Sequence, residues 1–112
     1  MRAVRSLCWM PDGVAGDLIH AFKYDGWWRL ADELALRLAR VRWPADVIAE
    51  RTALVPVPLA PRRERERGFN QSERLAVALA PHWHLPVWRD VLVRTTFSTS
   101  QTQLTPEQRL HN

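Results

Sequence analysis

Residues 54–76 read LVPVPLAPRRERERGFNQSERLA. Ala53, Leu54, Val55 and Val57 make a short apolar run of the kind that parallel strands, buried on both faces, display. The pattern predicts a strand over 52–59. Pro56 and Pro58 do not suit the middle of a sheet, so they belong at its C-terminal end, where the chain leaves it. From residue 70 the period turns helical, with Leu75, Ala76, Leu79 and Ala80 on one side. Asn70, followed three residues later by Glu73, has the spacing of a capping box. Between strand and helix lies a loop, 60–70, carrying Arg62, Arg63, Arg65 and Arg67.

Working outward, Val14, Leu18, Ala21 and Phe22 share a helical face that Asp12 can cap and Gly26 can stop. Leu30, Leu34, Leu38 and Val41 repeat at helical spacing, predicting a helix over 28–42 that Pro44 ends. Val91, Leu92 and Val93 predict a second strand over 87–95, followed by the polar segment FSTSQTQ. Thr105, Pro106 and Gln108 form a helix-start signal close to the last residue. This order predicts an incomplete α/β domain over 1–112, with a parallel sheet and flanking helices. Its parts are a helical lead-in (12–43), a strand–loop–helix unit (52–80), and a strand with a hood-like loop (87–112). An element that begins just before the chain stops suggests a fragment.

The chain of 112 residues has 16 basic and 12 acidic side chains, net +4. Lys23 is the only lysine, and arginine suits forked contacts to phosphate or carboxylate. Cys8 is the only cysteine, which excludes an internal disulfide and a cysteine-based zinc site. No apolar run approaches the ~20 residues of a membrane span, and a cytoplasmic location is expected.

Ligands of open parallel sheets bind beyond the carboxyl ends of the strands. The 60–70 loop would lie there and lead into a helix N-terminus, where free N–H groups and the dipole favour an anion. Gly68 can bring the backbone close to a ligand, Arg67 can make a forked contact, and Asn70 and Gln71 complete the cradle. Arg62 and Arg63 are additional candidates. The competing interpretation is a solvated turn whose arginines pair with Glu64 and Glu66.

Three blocks carry a family resemblance: LIHAFKYDG (18–26), VPVPLAPRRERERGFNQSERLA (55–76) and LVRTTFSTSQTQLTPEQRLHN (92–112). In order and spacing they resemble the ComF family of competence-associated, phosphoribosyltransferase-like proteins. The resemblance implies the N-terminal part of a type I phosphoribosyltransferase-like fold. In it, Arg67, Gly68, Asn70 and Gln71 would form the pyrophosphate loop. The 94–112 segment would be a mobile hood, marked by Gln101, Arg109 and Asn112. It also implies association with DNA uptake and a phosphorylated-sugar or pyrophosphate ligand. Members often carry a cysteine-rich zinc ribbon, for which this chain lacks the cysteines. Members also continue into a strand with two adjacent aspartates and a Thr-Thr-Gly turn that holds a ribose 5-phosphate. Here Thr95-Thr96 is followed by Phe97 and no acidic pair precedes it, so a complete active site is not expected.

Transfer chemistry of that kind displaces pyrophosphate at an anomeric carbon. Arg67 and the Gly68 backbone would stabilise the leaving group, with Mg²⁺ bridging its oxygens. Lys23 is either a second cation or a helix-terminal lysine in water. A second class is a non-enzymatic basic accessory protein. Single-stranded DNA would stack on some of Trp9, Trp27, Trp28, Trp43, Trp83 and Trp88, although tryptophans of small domains are usually semi-buried. DNA-uptake proteins are further partners under the family resemblance. His82 and His84 have no neighbouring carboxylate or cysteine and predict a surface turn rather than a metal site. No nucleophile–base arrangement is readable, and no catalytic residue is assigned.

Overall fold

A computed structural model describes residues 3–7, 14–24, 29–94 and 105–107. Five helices lie among them: α1 (Val14–Tyr24), α2 (Leu30–Ala39), α3 (Ala45–Glu50), α4 (Pro61–Arg67) and α5 (Gln71–Trp83).

The helical periods agree with the sequence pattern in their centres. α2 lies inside the predicted 28–42 span and places acidic Asp32 and Glu33 in its first turn and Arg37 in its last, in accord with its dipole. Glu33 accepts from Arg37 Nε at 3.0 Å, one turn apart. Ala31 and Ala35 are buried on its inner face. Their small side chains let α2 pack against α5, which buries Ala76 and Leu79. Phe22 of α1, Ala31 of α2 and Phe69 form the core cluster, with Leu30, Leu34 and Ala78 packed on it. The Phe22 and Phe69 rings are 6.0 Å apart and tilted by 44°, within the range of favourable aromatic pairs. Phe69 stands just before the Asn70 cap of α5, so this core anchors the α4–α5 junction.

Among the described residues the predicted parallel sheet is not formed, and the α/β assignment is corrected to a mostly helical fold. Among the described residues it is reduced to one parallel bridge, Leu54 with Val87. Leu54 N donates to Pro86 O and Trp88 N donates to Leu54 O, each at 2.9 Å. In this register the next bond forward would run from residue 56 to Trp88 O, and the next backward from residue 86 to Thr52 O. Both donor positions are prolines, which have no N–H. The ladder therefore stops on each side after one residue. Val57 is 63% exposed, where a strand buried on both faces was expected, and Val93 of the second predicted strand is 76% exposed.

A second contact group closes the other end of α5. The helix continues through Pro81 to Trp83, so His82 sits in its last turn. His84 forms the left-handed C-cap at φ 53°, its N–H bonded to Ala80 O. The expected surface turn is thus half helix. Trp83 meets Trp43 edge to face at 6.1 Å and 89°. The guanidinium of Arg51 lies over Trp83 at 5.1 Å, and that of Arg5 over Trp43 at 5.6 Å.

Candidate functional site

The stretch expected to be a loop is a helix. Pro61 occupies the start of α4 and Gly68 forms its left-handed C-cap at φ 82°. The intervening arginines and glutamates are good helix formers. Arg62 Nε and Glu66 Oε1 pair at 2.9 Å with both side chains largely exposed, a contact worth about 0.3–0.5 kcal/mol. The solvated-pairing interpretation therefore describes Arg62. Neither Arg62 nor Arg63 borders the groove described below.

The junction between α4 and α5 is built from three consecutive residues with different tasks. Gly68 takes the left-handed conformation, and its N–H closes α4 on Glu64 O at 2.8 Å. Phe69 turns into the core. Asn70 is 8% exposed. Its Oδ1 accepts from Ser72 N at 2.9 Å and Glu73 N at 3.4 Å, capping α5. Its Nδ2 donates to Val57 O at 3.2 Å, tying the cap to the extended segment. Arg67 Nη1 donates to Gln71 Oε1 at 2.6 Å across the same turn.

These contacts change the roles expected of the four loop residues. The Asn70 side chain is committed at both ends, so it positions the junction. Arg67 and Gln71 bond to each other. The Gly68 N–H belongs to the helix cap. Glu73 does not return to the Asn70 backbone as a capping box would; its Oε1 accepts from Arg89 Nε at 2.7 Å. No described residue accepts a hydrogen bond from the backbone N–H of Phe69, Asn70 or Gln71. These donors sit where the dipole of the 13-residue α5 is positive.

A groove of about 310 Å³ opens beside the junction, bordered by Glu64, Gly68, Phe69, Asn70, Glu73, Arg74, Val77 and Arg89. Of the expected site residues, Gly68 and Asn70 border it. Arg67, Gln71 and Lys23 do not; Lys23 lies in the last turn of α1. Gln101, Arg109 and Asn112 lie outside the described residues. Arg74, Arg89, Glu64 and Glu73 are the charged groups that sequence reasoning left out of the site. Arg74 was legible, since it stands one helical turn beyond Asn70. Arg89 was not: it comes from a segment 16 residues away from Glu73, brought close by the Leu54–Val87 bridge.

No group of three His, Cys, Asp or Glu side chains converges among the described residues, and Glu73 is engaged by Arg89, so a Mg²⁺ ion here would be held through the phosphate oxygens of its ligand. No step is assigned to the ion. Of the tryptophans offered for base stacking, Trp43 and Trp83 are occupied by each other, Arg5 and Arg51. Trp88 is 47% exposed. No described helix is long and apolar enough to cross a membrane.

No protein-family model matches the chain, and no curated protein or solved structure matches it.

Proposed function

We propose that the α4–α5 junction binds the phosphate or diphosphate group of a phosphorylated sugar. The chain would then be a ComF-like, phosphoribosyltransferase-related protein associated with DNA uptake, a likeness carried by the VPVP…RGFNQ block. The observation that carries the binding role is the set of three backbone donors, Phe69, Asn70 and Gln71. They stand at the positive end of α5, and Phe69 and Asn70 border the groove, which Arg74 and Arg89 edge together with Glu64 and Glu73. Backbone N–H groups at a helix start are suited to phosphate oxygens, and arginine adds a forked contact. The role moves from the Arg67 and Gln71 side chains to the backbone and to two arginines further along. Gly68 keeps its place because the left-handed cap turns the chain so that the next three N–H groups leave α4.

The test is a pyrophosphate titration at constant ionic strength, followed by amide NMR. Phe69, Asn70 and Gln71 should shift together with one dissociation constant. Amides that stay still while pyrophosphate is raised to millimolar levels refute the proposal. A second interpretation, single-strand DNA binding, rests on exposed Trp88 beside Arg89. It requires Trp88 fluorescence quenching by an oligonucleotide and an affinity that falls steeply with salt.

A further inference from the structure

Glu64 and Glu73 face the groove together with Arg74 and Arg89, so its side-chain charges cancel. A diphosphate gains little from such a surface unless a cation changes partner. The Arg89–Glu73 pair is suited to do so. Its side chains are 54% and 35% exposed, and ion pairs at such a boundary are weak. Arg89 also comes from a different part of the chain than Glu73, and the exposed Val91, Leu92 and Val93 follow it. Its guanidinium can therefore move without disturbing α5.

We propose that Arg89 is an exchangeable ligand of the site. Glu73 holds its guanidinium, and a diphosphate beside the Phe69–Gln71 donors takes it over. This rests on the phosphate reading of the junction. The exchange makes the site selective by charge. A diphosphate offers more negative charge and more forked acceptor geometry than one carboxylate, so it competes for the guanidinium. Chloride or another monovalent anion does not. Glu73 thus has two tasks: its N–H is held by the Asn70 cap, and its carboxylate sets the threshold for Arg89.

The experiment follows the Arg89 Nε–Hε resonance, assigned by its loss in Arg89→Lys, during the pyrophosphate titration, with sodium chloride as the control salt. The expected result is a shift of that resonance with the same midpoint as the Phe69–Gln71 amides, and none with chloride. Glu73→Gln should tighten pyrophosphate binding about two- to five-fold, the factor an exposed ion pair is worth. Glu64→Gln, which removes the same charge without freeing Arg89, should do less. If the amides shift but the Arg89 resonance stays, or if Glu64→Gln tightens binding equally, the exchange is refuted and the phosphate reading stands. If neither amides nor Arg89 respond, both fall.

Discussion

Replacing Asn70 by alanine removes three hydrogen bonds from a side chain that is 8% exposed. Two of them cap α5, and loss of an asparagine cap costs about 0.5–2 kcal/mol, typically ~1. The third satisfies Val57 O. Removing a donor from a part-buried carbonyl costs a further ~1 kcal/mol, within the usual range for a net hydrogen bond. The expected destabilisation is therefore about 2 kcal/mol, a large part of what a domain of this size has to lose. With a urea slope of roughly 1–3 kcal/mol/M, the unfolding midpoint should fall by about 1 M. Asn70→Asp separates the two parts. The carboxylate still accepts from Ser72 and Glu73 and is favoured by the helix dipole, but it cannot donate to Val57 O. It should lose less stability than the alanine variant. It should also weaken pyrophosphate binding, because it sets a negative charge beside the Phe69–Gln71 donors. Urea unfolding followed by circular dichroism measures the first effect, and the NMR titration the second. An alanine variant within about 0.5 kcal/mol of the parent, the low end for a lost cap, refutes the capping role. An aspartate variant that binds pyrophosphate as tightly as the parent refutes the site.

Three further outcomes are expected. Gly68→Ala meets no atom within 4 Å at the new Cβ, so its cost is the backbone term alone, ~1–2 kcal/mol; Gly68→Asn should cost less, and melting temperatures by circular dichroism will rank them. Pro86→Ala restores an N–H facing Thr52 O, so the new amide at position 86 should exchange slowly with solvent and lengthen the parallel ladder; fast exchange there contradicts the register argument. Arg51→Ala removes the cation over Trp83 and should cost about 0.5–1 kcal/mol, read by urea unfolding; no measurable loss shows that the stack is incidental.

Helical periodicity determined α1, α2 and α5 from sequence, because an apolar face repeating every three to four residues has one way to be buried. Gly68 as a turning point and Asn70 as a cap were legible for the same local reason. Helix α4 was legible too: Pro61 at its start, arginine and glutamate through it and Gly68 at its end are ordinary helix signals. The arginines of that stretch carry two signals, charge and helix propensity, and the propensity decides its structure. The sheet and the composition of the groove depended on contacts between distant segments. Pro56 and Pro86 silence the ladder only because Leu54 lies opposite Val87, and a one-residue slip of either strand would have turned that strand's proline away from its partner. The same pairing sets Arg89 beside Glu73. Register is a property of two segments brought together by the α2–α5 packing and the Asn70–Val57 tie, so neither segment's sequence contains it.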